Sequence, residues 1–248
     1  MDSLTNSSEN SSLFFSSGRL EDDNTSISAL EYDNFREILW IGNAFGRVSS
    51  CKINKDLILF SSFFSSSAPV MGLFPLPEAV LSVTQSGIRI HTVGGLPRGI
   101  FSLPDEFIES ENSMYFTCGS LVRPPGVYTN SNDVYPSHLL AGTSGAYSYI
   151  YDLNSLSKPI FAYNTVAATI CCKTNDGGLY IAVGGADGKI RLLDGKLRTN
   201  NILHTLDGYS GIVNDIAVET DGVNLFSCGM SGRSINPYDP TSPTSVSV

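Results

Sequence analysis

LYIAVGGADGKIRLLD, residues 179–194, consists of two apolar runs joined by a tight turn that ends in a glycine. Short apolar runs of this kind, bounded by Gly and Asp, favour β-strands. The Asp187-Gly188 pair supplies residues that tolerate a positive φ, which the tip of a two-residue hairpin loop requires. The stretch therefore predicts a β-hairpin.

The same pattern recurs four more times along the chain. The other copies are ILWIGNAFGRVSSC at 38–51, AVLSVTQSGIRIHT at 79–92, HLLAGTSGAYSYIYDL at 138–153 and NLFSCGMSGRSINPYDP at 224–240. The turn glycines are Gly46, Gly87, Gly145, Gly188 and Gly232, spaced by 41, 58, 43 and 44 residues. A repeat of about 40–45 residues made of short strands is typical of a β-propeller blade. We therefore predict an all-β propeller with little helix.

The repeats divide the chain into about five blades. In the first blade we predict strands at 27–33, 37–43, 47–53 and 57–64. The later predictions are strands at 79–85 and 88–93, a Pro/Asn/Ser-rich surface loop at 109–136, a fourth unit at 166–193, and a fifth unit that begins with 205–222 and ends at Asp239. The predicted domain organisation is a disordered Ser/Asn-rich tail at 1–26, a propeller at 27–240 and a second tail at 241–248.

The composition excludes several classes of protein. The chain has 248 residues, of which 42% are apolar and 16% charged, and its net charge is −9. A sequence this apolar is not disordered over most of its length. An acidic chain lacks the basic footprint of a protein whose main activity is binding nucleic-acid phosphates.

Five cysteines in an irregular arrangement do not form a recognisable disulfide framework, and we expect a reducing compartment. Cys118 and Cys228 each precede a glycine at the end of an apolar run, which predicts small buried side chains. The adjacent Cys171 and Cys172 are predicted to lie on opposite faces of one strand.

The sequence contains no apolar segment of the length that crosses a membrane, and we expect no membrane association. Its first residues lack the basic and apolar regions of a secretory leader. Asn6, Asn10 and Asn24 match the glycosylation pattern, which we interpret as a chance consequence of a Ser/Asn-rich composition.

Two dipeptide positions resemble those of WD repeats. Gly208-Tyr209 stands where that family has Gly-His before the first strand. At the end of the third strand, where the family has Trp-Asp, the chain has Tyr151-Asp152, Leu193-Asp194 and Tyr238-Asp239. The resemblance implies degenerate repeats, in which the family's His–Asp–Ser–Trp hydrogen-bond network is incomplete and packing contributes more of the stability.

Four segments in order, 37–50, 80–98, 138–153 and 209–233, resemble the N-terminal WD-repeat domain of the catalytic subunit of the poly(A)-nuclease (Pan) deadenylase. The last segment carries most of the matching positions, and Tyr209 departs from the family's usual histidine. The matching residues are Ser210, Gly211, Asp215, Cys228, Gly229, Ser231 and Arg233. The resemblance covers residues 27–233 and implies a propeller of seven blades, of which about five are visible.

The resemblance implies a non-catalytic propeller that supports shortening of mRNA poly(A) tails. The expected partners are the kinase-like partner subunit and poly(A)-binding protein, with a weak contact to poly(A) RNA, in the cytoplasm and in processing bodies. The family's longer protein continues into a linker, an inactive ubiquitin-hydrolase-like domain and an exonuclease domain with four metal-binding acidic residues. Because this chain ends at Val248, we expect no catalytic residue, cofactor or metal site in it. The binding residues are not assigned.

Catalytic motifs are incomplete throughout the sequence. Gly188-Lys189 matches two positions of a phosphate-binding loop. Val183 and Ile190 stand where that loop requires a Gly and a hydroxyl residue, so the sequence favours a hairpin turn. The serines next to a glycine, Ser144, Ser210 and Ser231, all lack the second glycine of a nucleophile elbow.

The histidines and acidic pairs are also poor site candidates. His91, His138 and His204 have no Cys or carboxylate at metal-ligand spacing, and we interpret the first two as exposed or cross-strand residues. Asp22-Asp23 and Asp105-Glu106 are interpreted as solvated loop charges.

Tyr147, Tyr149 and Tyr151 alternate along one strand and therefore share a face. Such a row could stack the bases of a single strand, but no basic residue interleaves with it, which favours packing between blades. Two functional alternatives stay open. One is a generic WD-repeat scaffold of an unrelated complex. The other, a propeller hydrolase, is disfavoured because no set of acidic residues, Arg and His marks a reaction centre.

Overall fold

The computed structural model describes residues 26–53, 57–105, 107, 114–122, 136–175, 180–219 and 224–230. Within these ranges, 18 β-strands form five antiparallel sheets. Helical conformation there is confined to Asp105 and Phe107. The predicted all-β class is confirmed.

We call the five sheets blades 1 to 5. Blade 1 contains β1 (Ile27–Asp33), β2 (Ile38–Asn43), β3 (Arg47–Ile53) and β4 (Leu57–Phe64), and blade 2 contains β5 (Val70–Leu76), β6 (Ala79–Thr84), β7 (Gly87–Thr92) and β8 (Pro97–Ile100). Blade 3 contains β9 (Phe116–Val122), β10 (His138–Thr143), β11 (Tyr147–Asp152) and β12 (Phe161–Asn164). Blade 4 contains β13 (Thr169–Thr174), β14 (Tyr180–Gly185), β15 (Lys189–Asp194) and β16 (Ile202–Asp207), and the described part of blade 5 contains β17 (Val213–Val218) and β18 (Leu225–Gly229).

Within each blade the strands follow one another as an antiparallel meander. The first strands of consecutive blades are neighbours: β1 lies beside β5, β5 beside β9, β9 beside β13, and β13 beside β17. Successive meanders whose first strands adjoin one another form the radial arrangement of a propeller, with the first strand of each blade innermost.

One register feature makes the blades directly comparable. In every blade the first residue of the inner strand pairs with the last residue of the second strand, and the register shifts immediately beside that pair. The pairs are Ile27 with Asn43, Val70 with Thr84, Phe116 with Thr143, Thr169 with Gly185, and Val213 with Gly229. Counting from this shared pair gives equivalent positions in all five blades.

The core consists of four apolar clusters, one between each pair of consecutive blades. Trp40 of blade 1, for example, is fully buried in the same cluster as Val70 and Leu73 of blade 2. Blades 2, 3 and 4 therefore each contribute one face to the cluster before them and the other face to the cluster after them. Blades of this kind stabilise one another by face-to-face packing of sheets.

The tyrosine row belongs to this packing. Tyr149 and Tyr151 are buried in the cluster between blades 2 and 3, together with Phe101 and Phe116. The Phe101 and Tyr151 rings meet edge to face, with centroids 5.5 Å apart. Tyr147 is partly exposed, and its ring centroid lies 6.4 Å from that of Tyr149. The interpretation as inter-blade packing is confirmed for the two buried tyrosines.

Two predicted boundaries are wrong. Residues 116–122, assigned to a surface loop, form the inner strand β9, whose side chains alternate between buried and half-buried. Residues 205–207, assigned to the start of the fifth unit, belong to the outer strand β16 and pair with β15 of blade 4. In the rest of the predicted 109–136 loop, residues 109–113 and 123–135 lie outside the described residues. Only residues 114, 115 and 136 of that remainder are described. Two tails were predicted, at 1–26 and at 241–248. Residues 1–25 and 241–248 also lie outside the described residues.

The cysteine predictions are confirmed in three of four cases. Cys118 is buried, and Cys171 and Cys172 are buried in different clusters, as opposite faces of one strand require. Cys228 is exposed, because it lies on the face of blade 5 that points away from blade 4. Burial raises the pKa of the Cys171 thiol to about 12.

Of the two alternatives for His91, exposed or cross-strand, the structure shows the second: His91 is buried and pairs with Val80 and Pro97 on the neighbouring strands. Its ring packs against Phe63, with the two ring centroids 4.8 Å apart. Burial, and secondarily the Arg89 guanidinium, lowers the pKa of His91 below its ordinary value of 6.5. The folded protein therefore favours the neutral ring.

This pKa shift predicts an acid-sensitive fold. The unfolded chain protonates His91 at a higher pH than the folded chain does, so the free energy of unfolding should fall as the pH drops below about 6.5. Thermal denaturation followed between about pH 7 and about pH 5 should show the loss, and the His91→Leu variant should lose less. The exposed His204 on β16 offers the control, His204→Gln, which should retain the wild-type dependence. Identical pH dependence in wild type and His91→Leu would contradict this account.

Candidate interaction surface

Tyr209, at the WD-like position before the first strand, fastens a loop to its own blade. The Tyr209 hydroxyl, in the loop before β17, donates to the Ser227 carbonyl at 2.8 Å, and the Ser227 hydroxyl lies 3.0 Å away. In blade 2 the Ser65 hydroxyl, in the loop before β5, lies 2.6 Å from the Ser82 hydroxyl of β6. Both pairs tie the loop before a blade to that blade's second strand, so a Tyr and a Ser take the role of the expected histidine.

The aspartates at the Trp-Asp positions cap turns. Asp194 accepts the backbone N–H groups of Lys196 and Arg198 at 3.0 and 3.2 Å. Asp152 accepts the backbone N–H of Asn154 at 2.9 Å. Burial and the Asp194 carboxylate raise the pKa of Tyr163, whose hydroxyl donates to the Asp194 carbonyl, to about 12. The pair Tyr238-Asp239 lies outside the described residues.

The hairpin interpretation of Gly188-Lys189 is confirmed. Gly188 has a φ of +77° at the tip of the β14–β15 hairpin. Asp187 in this turn accepts two guanidinium bonds from the buried Arg191, at 3.0 and 2.5 Å, and this contact lowers the pKa of the Asp187 carboxyl. Lys189 pairs with Asp207 of β16 at 3.1 Å. Lys189 is thus ion-paired with a carboxylate on the outer strand of its own sheet.

Of the other candidate groups, His138 and Ser144 belong to blade 3, and Ser210 lies in the loop before blade 5. The Ser144 hydroxyl accepts the backbone N–H of Tyr115 at 3.1 Å, and Ser210 lies exposed in the loop before β17. His138 Nδ1 lies 2.7 Å from the Ser137 hydroxyl. Ser231, Glu106 and Asp22-Asp23 lie outside the described residues. Across the described ranges, no three His, Cys, Asp or Glu side chains gather in a way that could hold a metal ion.

A shallow cavity of about 320 Å³ opens where blades 2 and 3 meet. Its walls are about equally polar and apolar, and they include one exposed ion pair, Lys158 with Asp105 at 2.5 Å. The lining residues are Pro104, Asp105, Tyr149, Lys158, Pro159, Ile160, Phe161 and Ala162. Because Asp105 neutralises the lysine, the cavity offers a phosphate chain no net positive charge. Sequence reasoning missed this cavity, since its two halves are about 55 residues apart in the chain.

The chain is a β-propeller of the WD-repeat type. Its sheets are meanders in chain order, its blades stack face to face, and its turns make WD-like contacts. Among the described residues, no helix has the length and apolar character of a transmembrane segment. No protein-family model matches the chain.

Three relatives are catalytic subunits named PAN2 of the PAN2-PAN3 deadenylation complex. The subunit of Gallus gallus is 27% identical over 209 residues, that of Kluyveromyces lactis 25% over 219, and that of Scheffersomyces stipitis 22% over 222. The matches cover 84 to 86% of this chain but only 15 to 18% of the relatives. The resemblance to the catalytic subunit of the Pan deadenylase is confirmed, for a small part of that subunit.

Solved structures show the same fold. The Neurospora crassa Pan2 WD40 domain superposes with a TM-score of 0.65 at 17% identity, covering 87% of this chain and 67% of that domain. The WD40 β-propeller domain of Doa1 superposes with a TM-score of 0.60 at 16% identity, covering 82% of this chain and 61% of the other. The chain is thus similar to PAN2 in sequence and to the WD40 domains in architecture.

Proposed function

We propose that this chain is a non-catalytic WD-repeat propeller of a Pan-type deadenylase subunit and supports the shortening of mRNA poly(A) tails. The observation that carries the proposal is the sequence similarity to PAN2 subunits, which spans most of the chain. On this proposal, the exonuclease reaction takes place in another part of the parent subunit, and the propeller contributes binding.

The charge of the chain favours protein contacts over direct RNA contacts. At a net charge of −9, the propeller repels a phosphate backbone at long range. The cavity between blades 2 and 3 offers a polypeptide walls of mixed polar and apolar character without net positive charge. The propeller therefore reaches poly(A) through a protein that coats it, poly(A)-binding protein, and contacts naked poly(A) weakly. The kinase-like subunit is the second partner, and the site of action is the cytoplasm, including processing bodies.

The test measures binding of the purified chain to three immobilised samples: poly(A) coated with poly(A)-binding protein, naked poly(A), and the kinase-like subunit. We expect binding to the coated RNA or to the kinase-like subunit, and only weak, salt-sensitive binding to naked RNA. The matched control is the WD40 domain of Doa1, which has the same fold and should bind none of the three specifically. A folded chain that binds no better than this control would overturn the proposal and favour a scaffold of an unrelated complex.

A further inference from the structure

Two cysteines of neighbouring blades share one buried interface. Cys118 on β9 and Cys172 on β13 are 9% and 7% exposed, and both belong to the apolar cluster between blades 3 and 4. Cys171 lies on the opposite face of β13, in the cluster between blades 4 and 5. Among the described residues, which include all five cysteines, no other two thiols share an apolar cluster.

Hydrogen bonds on both sides of this pair fix the alignment of β9 and β13. The Thr117 hydroxyl donates to the Thr169 carbonyl, and these residues are 52 positions apart in the chain. The Thr174 backbone N–H donates to the Ser120 hydroxyl at 3.2 Å, and these residues are 54 positions apart. The two cysteines lie between these contacts and are themselves 54 positions apart. The two inner strands therefore run side by side in the same direction, with the cysteines abreast.

The two thiols are close enough to influence each other. Two effects raise the pKa of the Cys172 thiol well above its ordinary value of 9.0: first a hydrogen bond with the Cys118 thiol, then burial. Because the leading effect comes from the other sulfur, the two sulfur atoms are neighbours in the interface. A disulfide requires two cysteines whose backbones are close and whose side chains point toward each other. The adjoining inner strands and the shared cluster meet both requirements.

We propose that Cys118 and Cys172 are a modification site, at which hydrogen peroxide converts the two thiols into a disulfide that joins blade 3 to blade 4. The reaction takes two steps. The Cys118 sulfur attacks one oxygen of the peroxide, the O–O bond breaks, and a sulfenic acid forms while the departing hydroxide leaves as water with the Cys118 proton. The Cys172 sulfur then attacks the sulfenic sulfur, the S–O bond breaks, and the second water leaves with the Cys172 proton. The two thiols thereby lose two electrons, which reduce the peroxide to two waters.

The surroundings of the pair set the order and the rate of these steps. The raised pKa keeps the Cys172 thiol protonated, which makes it the poorer nucleophile, so Cys118 attacks the peroxide first. Because both residues are buried, their oxidation is slower than that of the exposed Cys228. In a reducing compartment the two thiols are the resting state, and the disulfide forms only while the oxidant is present.

The experiment treats the whole folded chain with hydrogen peroxide, blocks the remaining thiols with iodoacetamide and maps disulfides in a protease digest by mass spectrometry. We expect a pair of linked peptides, one with Cys118 and one with Cys171-Cys172, which dithiothreitol separates. Melting is compared in Cys228→Ser, which lacks the exposed thiol that would link molecules to one another. Oxidation should raise its melting temperature by about 5–10 °C, because the bond closes a long loop in the unfolded chain.

Cys171 offers the matched control, because it is adjacent to Cys172 and points to the other face of β13. Cys172→Ala should abolish the link and Cys171→Ala should retain it, with circular dichroism to establish that each variant is folded. A link to Cys118 that persists in Cys172→Ala would overturn the proposal, and so would a link that lowers the melting temperature. A folded wild type without the link after all of its Cys228 has reacted would also overturn it, and this measurement needs no substitution.

Discussion

Replacement of Gly188 by alanine should lower the free energy of unfolding by more than about 2 kcal/mol. Gly188 has a φ of +77°, a left-handed conformation that alanine adopts at a cost. An added Cβ would also collide with the Tyr209 carbonyl and lie 2.6 Å from the Gly211 carbonyl oxygen. Both are backbone atoms of the segment leading into blade 5, so the strain would spread to the blade interface. Equilibrium unfolding in urea measures the loss.

Gly87 provides the matched control, because the sequence places it at a hairpin tip in the same way. The structure distinguishes the two glycines: Gly87 does not have a positive φ, and a Cβ there would meet nothing within 4 Å. Gly87→Ala should therefore change the free energy of unfolding by no more than about 0.5 kcal/mol. Equal losses in the two variants would contradict the difference in backbone conformation between the two hairpin tips.

Replacement of Trp40 by alanine should cost about 3–5 kcal/mol, the range for a large aromatic side chain removed from a core. Trp40 is fully buried between blades 1 and 2, beside Val70 and Leu73. Its removal leaves a cavity that neighbouring strands cannot fill, because their backbones are fixed by the ladders on either side. Urea unfolding monitored by circular dichroism gives the value, since the variant lacks the chain's single tryptophan.

Phe226 occupies the equivalent position in blade 5 and is about half exposed. Phe226→Ala should cost less than about 1 kcal/mol. Comparing Trp40→Ala with Phe226→Ala separates two effects on the free energy of unfolding: that of burial and that of the position in the repeat. If Phe226→Ala were as damaging as Trp40→Ala, the exposure of the Phe226 side chain would be contradicted.

The sequence predicts best where apolar alternation is uninterrupted. All four strands of blade 1 are found within a residue of their predicted bounds. β5 was missed because Gly72 and Pro75 interrupt it, and both residues are typical of loops. β8 and β12 have only four residues each, too few to show a period. These strands form because a neighbouring strand supplies the hydrogen-bond partners, which a local pattern does not contain.

The surfaces could be predicted only in part. The sequence identifies Tyr209 as a substitute for a histidine, but its bond to Ser227 depends on the register of blade 5. The exposure of Leu30 and Phe226 cannot be read from the sequence, since the equivalent residues Leu73 and Trp40 have similar apolar character and are buried. Burial at these positions depends on which blade lies next to the residue, a property of the whole array.

The central claim is that meandering sheets stack radially, each inner strand packing its first side chain against the second strand of the preceding blade. Nuclear Overhauser effects measured on a methyl-labelled sample test it directly. We expect cross-peaks from the methyl groups of Val70, Thr169 and Val213 to the α-protons of Gly42, Gly142 and Gly184 respectively. A folded chain that shows none of the three cross-peaks, as two facing sheets of a sandwich would, contradicts the account.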